Sequence, residues 1–360
     1  MKINMILPGL GHSGGVQMAT DYLNYFVEQG NDVICYVPFT GAYYGWKKLL
    51  FLKSIYRLLN SKDLQGKWIK NKFVIKFVPY INNLWIRNAN ITIATSWLTS
   101  YWVYSLNRQK GKKVYFIQDY EAWGSDKENS LVRKSYNLPF DLRISVSTML
   151  HDRLLKENNA SSTIICNGIK SKYIRKTKKS LIHNKKIVIG FPYRERRGEK
   201  ENIKNCDFAL KALKKYISLS NVEVRAFGFN KPKNWDDKFS FLTNPLRGDL
   251  FNWYDHVDLF YIPSLYEGWG LPAMEAMARG CVVLAADTGC FKEFGEDRKN
   301  FYKLDNMKSK EEFFQALNNL INNQNLRKRI SLNAINTVEG YSFEREAKLF
   351  LSSLINLYKR

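Results

Sequence analysis

Short apolar runs rich in β-branched residues alternate with longer stretches whose apolar positions recur every three or four residues. In the first half, the runs at residues 2–7, 32–37, 73–78, 91–95, 113–117, 143–146 and 162–166 predict strands, and the periodic stretches at 16–28 and 148–157 predict helices. Strands that are apolar on both faces and separated by helices belong to a parallel sheet covered on both sides. Residues 175–186, RKTKKSLIHNKK, are basic and aperiodic and predict a linker. Beyond it the alternation restarts. Strands are expected at 187–191, 222–227, 259–262 and 282–285, helices at 206–218, 250–256 and 272–279, and an all-helical tail over 308–360. The expected fold class is α/β: two Rossmann-like parallel-sheet domains facing a cleft, one over residues 1–175 and one over 186–341.

Composition narrows the classes. The chain has 360 residues, 45% of them hydrophobic, enough for two cores. No run of about 18 uncharged apolar residues is present, which argues against a spanning helix. The opening MKINMILPGLG is too short in its apolar part to read as a secretory leader. Five cysteines lie far apart with no C-x-x-C pair, and histidines number four. That excludes a disulfide framework, gives no metal-ligand pattern and fits a reducing cytoplasm. The net charge is +23, and residues 1–180 hold 27 Lys and Arg against 11 Asp and Glu. Such a field attracts polyanions: nucleic acid, an anionic membrane face or phosphate-bearing substrates.

The first candidate chemistry is Pro8-Gly9-Leu10-Gly11-His12-Ser13-Gly14-Gly15, in which Gly9, Gly11 and Gly14 spell G-x-G-x-x-G between a strand and a helix. A dinucleotide enzyme would end its second strand on an acid that holds the ribose. Here that strand runs into Pro38-Phe39-Thr40. The glycines still let backbone N–H groups approach an anion at the positive end of a helix, so Gly14 and Gly15 are candidate phosphate contacts.

The richer segment is residues 264–294, SLYEGWGLPAMEAMARGCVVLAADTGCFKEF. A strand ends just before it, a turn Gly268-Trp269-Gly270 follows, and Pro272 suits the first position of a helix. Glu267 sits in the turn and Glu275 is expected in the first helical turn, eight residues on. Both are placed at the carboxyl edge of a parallel sheet, where such folds bind ligands. A loop carboxylate can orient sugar hydroxyls, and a second can accept both hydroxyls of a ribose. The helix start at Gly270 and Leu271 can meet a diphosphate between them.

Ser264, Glu267 through Pro272, Glu275-Ala276-Met277-Ala278 and Gly280 resemble the signature of the retaining family 4 glycosyltransferases of the GT-B fold. Gly14-Gly15 resembles that family's N-terminal glycine loop, and Cys166-Asn167-Gly168-Ile169 the end of its first domain. Thr288, Gly289 and Glu293 resemble its following loop, and YSFEREAKLFLSSLINLY its last helix, so 342–360 is expected to pack back on the first domain. The resemblance implies retention at the anomeric carbon, an acceptor site in the first domain and a nucleotide-sugar site in the second. It implies no cofactor and no metal, the donor being a UDP-, dTDP- or GDP-sugar. Members commonly carry an Arg and a Lys after the first strand of the second domain to neutralise the diphosphate. Here Phe191 takes the Arg place, and Arg194, Arg196, Arg197 and Lys200 are the candidates, with Arg196 expected nearest the chemistry. Where relatives place a His near the acceptor, this chain has Gln118 or Asp119, and Asp119 either orients an acceptor hydroxyl or caps a turn. Some relatives with similar first domains are rhamnosyltransferases, so a rhamnosyl donor stands beside hexosyl donors.

Residues 45–77 carry nine positive charges and one negative. On a helical wheel Leu49, Phe51, Leu52, Ile55, Tyr56, Leu58 and Leu59 share one face and Lys47, Lys53, Ser54 and Arg57 the other, while Trp46, Leu50 and Lys48 break the pattern. Such a helix lies either in the headgroup region of an anionic membrane or on the sheet with a solvated basic face. The membrane alternative implies a lipid-linked saccharide acceptor at the inner face of the plasma membrane. Two other readings compete: a non-hydrolysing sugar-nucleotide epimerase, and a basic nucleic-acid-binding protein. The second lacks any nucleic-acid motif and leaves the paired acids unexplained, so no nucleic-acid partner is expected.

Overall fold

The three-dimensional structure, a computed structural model, describes residues 1–11, 13–39, 71–122, 124–175, 186–194, 203–216, 219, 221–232 and 235–360. The chain folds as two units, Met1–Ile165 with Ala347–Arg360, and Cys166–Glu346.

The first unit holds β1 (Lys2–Ile6), β2 (Asp32–Pro38), β3 (Val74–Val78), β4 (Ile91–Ala94), β5 (Lys112–Ile117), β6 (Leu142–Ser145) and β7 (Thr163–Ile164) in the order β3-β2-β1-β4-β5-β6-β7. Every pairing is parallel, with Ile3 opposite Val33 on one side and Ile91 on the other. The central strands are buried on both faces, which is why they read as continuous apolar runs. The helix Gly14–Glu28 starts on Ser13, whose Oγ accepts the Val16 N–H at 3.3 Å. Its Met18, Ala19, Tyr22, Leu23 and Phe26 are buried, the spacing of one helical face. The C-terminal helix Phe343–Lys359 places Phe350 against Tyr22, Phe26 and Phe116, with ring centroids 5.0–5.4 Å apart.

The second unit holds β8 (Ile187–Tyr193), β9 (Val222–Gly228), β10 (Ser240–Thr243), β11 (Leu259–Tyr261), β12 (Val282–Ala285) and β13 (Tyr302–Lys303), all parallel, in the order β10-β9-β8-β11-β12-β13. Its core brings Phe191, Trp235, Tyr261, Phe313 and Leu317 together. In both sheets the strand order reverses beside the first strand, between β1 and β4 and between β8 and β11. Loops leaving those neighbours diverge and open a crevice at the carboxyl edge.

The structure departs from the sequence expectations in several places. Strands β10 and β13 and the helices Trp97–Ser105 and Asp126–Tyr136 are additions. β10 is a short edge strand with exposed ends, so it lacks the apolar signature of its neighbours. The helix expected to reach residue 218 stops at Leu213 and tightens into a 3₁₀ turn, Lys214–Tyr216. Residues 166–175 pack with the second unit. The Ile169 N–H donates to Tyr341 O at 3.0 Å, the Arg175 N–H to Ala278 O at 2.9 Å, and the Tyr173 ring stacks on Phe251 with centroids 4.1 Å apart. The division between units therefore falls ten residues before the expected boundary at 175. Of the basic stretch 45–77, residues 45–70 lie outside the described residues, as do 176–185 of the expected linker.

Candidate active site

The second sheet builds the better-formed site. β8 leads to Arg194, and Ile203-Lys204-Asn205 leads into the helix Cys206–Leu213; β11 leads into the turn that carries Glu267. The Leu265 N–H donates to Ile203 O at 2.8 Å, tying the two loops together above the reversal of strand order. Across that tie the Lys204 Nζ stands 2.6 Å from Glu267 Oε1, with the two side chains 32% and 17% exposed. The half-enclosed setting strengthens the charge-assisted bond and leaves both heads within reach of a ligand.

Turn geometry fixes Glu267. The Glu267 N–H donates to Thr288 Oγ1 at 3.3 Å, and the Cys290 N–H to Trp269 O at 2.6 Å. Gly289 has φ +61, and a Cβ there would meet Trp269 O at 2.4 Å, so the two loops close only with glycine at this position. Gly270 precedes the helix Leu271–Ala278 with φ +91, again a backbone that favours glycine. A small cavity beside the turn is lined by Glu267, Trp269, Gly270, Ala273, Thr288 and Cys290. Trp269 is 3% exposed, its Nε1 lies 3.4 Å from Met274 Sδ and its ring meets Phe294 and Tyr341, so most of the indole is committed to packing.

Glu275 differs from the expectation. The helix begins at Leu271, so Pro272 is its second residue rather than its first, and Glu275 falls in the second turn. It is buried, and its carboxylate has its own partners. Arg247 Nη2 lies 3.6 Å from Oε1, and Tyr254 OH donates to Oε2 at 3.5 Å. Burial together with the Glu275 charge pushes the Tyr254 hydroxyl pKa well above its ordinary value, so that phenol stays a donor. The Arg247 guanidinium lies over the Tyr173 and Phe251 rings, at 5.0 and 5.8 Å.

Among the basic candidates, Arg194 is exposed and its main-chain N–H donates to Cys206 Sγ at 3.3 Å. Arg196, Arg197 and Lys200 lie outside the described residues. The cation that the structure sets against Glu267 is Lys204, which the sequence reading passed over. The usable signal was position: Lys204 stands two residues before a helix start.

The first sheet presents Gly14 and Gly15 as the opening residues of a helix. A Cβ at Gly15 would sit 3.5 Å from the Gln118 amide, whereas one at Gly9 or Gly11 would meet nothing within 4 Å, so packing places no demand on those two glycines. Gln118 Oε1 is buried with no hydrogen-bond partner among the described residues. The Asp119 carboxylate accepts the Tyr120 N–H at 2.9 Å, a turn-capping bond. Glu121, not foreseen, is half-buried as a residue, but its carboxyl is enclosed and accepts the Trp97 N–H at 2.6 Å. Burial pushes its pKa up to about 8, opposed by the Trp97 bond and aided by the Asp119 and Glu128 charges.

The chain is similar to several known proteins. Residues 175–337 match the family of glycosyl transferases group 1. A stretch of 42 residues is 50% identical to the lipopolysaccharide core biosynthesis mannosyltransferase LpsB of Rhizobium meliloti (strain 1021), covering 12% of this chain and 12% of that relative. The chain superposes on sucrose-phosphate synthase from Thermosynechococcus elongatus with a TM-score of 0.74 at 14% identity, covering 100% of this chain and 99% of that one. It superposes on Anabaena Alr3699/HepE, solved in complex with UDP and glucose, with a TM-score of 0.71 at 14% identity, covering 99% and 100%. Residues 175–337 thus match a glycosyl transferases group 1 domain, in a chain that shares the two-sheet GT-B fold of these solved structures.

Proposed function

We propose that this protein transfers a sugar from a nucleoside-diphosphate donor to a saccharide acceptor, with retention at the anomeric carbon and without a divalent metal. The observation that carries the reading is the Lys204–Glu267 pair at the carboxyl edge of β8 and β11. When the sugar leaves, negative charge develops on the diphosphate. The Lys204 ammonium and the N–H groups at the start of the Leu271–Ala278 helix would stabilise that charge with no reorganisation. A single preorganised donor of this kind is worth roughly 3–4 kcal/mol. Glu267, released from Lys204, would accept hydroxyls of the transferred hexosyl or rhamnosyl ring. Glu275, oriented by Arg247 and Tyr254, would accept the ribose hydroxyls. UDP- and GDP-sugars present both ribose hydroxyls and a dTDP-sugar only the 3′-hydroxyl, and Arg194, Arg196, Arg197 and Lys200 add positive charge in the sequence that follows β8.

The acceptor would sit at the first sheet, where the buried Gln118 Oε1 can take a hydroxyl hydrogen and Asp119 and Gly15 lie alongside. The basic excess of the first half supports a lipid-linked saccharide acceptor at the inner, anionic face of the plasma membrane, in cell-surface polysaccharide synthesis. LpsB, a lipopolysaccharide core enzyme by its name, supports the same class of acceptor.

The test is a thermal-shift panel of UDP, dTDP, GDP and their sugars on the full chain, with Lys204→Met and Glu267→Gln as comparisons. A ligand at 100 times its Kd stabilises by about 2.7 kcal/mol, a clear shift. At least one nucleotide sugar should stabilise the wild type, and the shift should shrink sharply in Lys204→Met. Failure of every nucleotide, or an undiminished shift in both variants, overturns the reading.

A further inference from the structure

We infer that the turn at residues 82–86 is an interfacial anchor that inserts Leu84 and Trp85 into the headgroup region of an anionic lipid bilayer. The inference rests on the membrane reading proposed above; the turn lies toward the amino-terminal edge of the first sheet, where Arg87 binds Asp32 and the Asn90 N–H donates to Lys2 O, so it would tether the protein to a bilayer rather than present the Gln118 edge to it.

The turn is built to hold its tip outward. Asn82 Oδ1 accepts the N–H groups of Leu84 and Trp85 at 3.1 and 3.2 Å, and Asn82 O accepts the Ile86 N–H at 3.2 Å. Asn83 Oδ1 accepts the Asn107 N–H at 2.8 Å. Ile81 and Ile86 are buried on either side, at 8% and 2% exposure. Arg87 then fixes the exit: its guanidinium binds Asp32 Oδ2 at 2.6 Å, Asp32 O at 2.8 Å and Asn4 Oδ1 at 3.1 Å. A floppy loop could fold an apolar tip back onto the sheet; this one is held against doing so. Leu84 is 82% exposed, Tyr80 and Trp85 about half, and Tyr104, three residues from the bonded Asn107, 43%.

Charge selects the occupant. Residues 71–118 contain seven Lys and Arg and no Asp or Glu, with Lys110 buried and bonded to Asn88 Oδ1. Some of these cations are matched from elsewhere: Lys72 by Glu28, Arg87 by Asp32 and Lys112 by Asp141. Lys76 and Arg108 are exposed, and the Lys113 ammonium lies 5.4 Å over the Tyr104 ring. Amphipathic rings and an aliphatic tip beside cations suit the boundary between acyl chains and anionic headgroups. A nucleic acid would gain nothing from an exposed leucine, which neither stacks nor accepts a hydrogen bond. No helix among the described residues is long and apolar enough to cross a membrane, so contact would be made by such surface elements.

The experiment is flotation of the full chain with vesicles of phosphatidylglycerol and phosphatidylethanolamine, against phosphatidylcholine alone. The double variant Leu84→Ser with Trp85→Ser is compared with wild type. Both residues are exposed at a turn tip, so the variant should keep the wild-type Tm and nucleotide-induced shift. Wild type should float with the anionic vesicles, and the double variant should bind at least tenfold more weakly. Equal binding by the two proteins overturns the anchor while leaving the membrane reading standing. Wild type that floats with no vesicle overturns both, and the donor reading is judged separately by the nucleotide shift. Loss of duplex-DNA binding in the variant, with no vesicle binding by wild type, would replace the bilayer with a nucleic acid.

Discussion

The two sheets offer the same address with different chemistry. Each reverses its strand order beside its first strand, and each sets candidate residues on loops at that edge. In the second sheet the acids face cations, Glu267 against Lys204 and Glu275 against Arg247. In the first, Asp119 and Glu121 face backbone N–H groups, those of Tyr120 and Trp97. A topological switch point says where a ligand binds; the partner each carboxylate keeps says what kind. Pairs of opposite charge can separate to receive a charged, hydroxyl-rich donor, whereas carboxyls committed to backbone suit a neutral acceptor.

The hardest way to break this comparison is Lys204→Met. A loss of roughly 100- to 1,000-fold in kcat with near-wild-type folding is expected, read by steady-state kinetics with the donor found in the thermal-shift panel. A comparable loss in Asp119→Asn but none in Lys204→Met would reverse the roles of the sheets.

Next comes Glu275. Replacement by Ala leaves the Arg247 charge facing a void in a buried place and should cost about 3 kcal/mol of stability, measured by denaturant unfolding. Glu275→Gln keeps volume and one acceptor, so it should cost far less stability yet still weaken donor binding. If Glu275→Ala unfolds at the wild-type midpoint, the pair with Arg247 contributes nothing.

A pH experiment sharpens the other side. Glu121 titrates near pH 8 in the folded chain against 4.5 as its ordinary value. Between those values the folded state holds a proton that the unfolded state has released. Stability therefore falls as pH rises from about 4.5 to about 8 and levels off above. Glu121→Gln removes this dependence, so its Tm advantage over wild type should be near zero at pH 4 and greatest above pH 8. An advantage independent of pH would mean the carboxyl is ionised throughout.

The smallest effect is expected at Gly15→Ala. The added methyl meets the Gln118 amide at ordinary contact distance and relieves a flexible helix start, so stability should change by less than about 1 kcal/mol. A fall in activity without a fall in Tm would mean that substrate approaches the backbone here.

Much of this was readable in the chain because buried parallel strands must be apolar on both faces; β1, β2, β5 and β12 announce themselves that way. β10 and β13 do not, being an edge strand and a two-residue pairing. The turn from Glu267 to Leu271 was legible because Gly270 and Gly289 answer backbone demands that few other residues meet. Lys204 was not, because its meaning comes from facing Glu267, 63 residues away, across the Ile203–Leu265 hydrogen bond. For the same reason Arg247 and Tyr254 carried no signal: a lone Arg and a lone Tyr at the start and end of a helix mean little until Glu275 stands between them. Glu121 was hidden among the neighbours of Asp119, since only tertiary enclosure gives its carboxyl an unusual proton affinity.

If Lys204 grips the diphosphate of an activated sugar, nucleotide affinity must depend on its ammonium. That dependence is tested most directly by titration calorimetry of the matching nucleoside mono- and diphosphate against wild type and Lys204→Met. Wild type should prefer the diphosphate by at least tenfold, and the variant should lose most of this preference. The same preference in both proteins would contradict the role of Lys204.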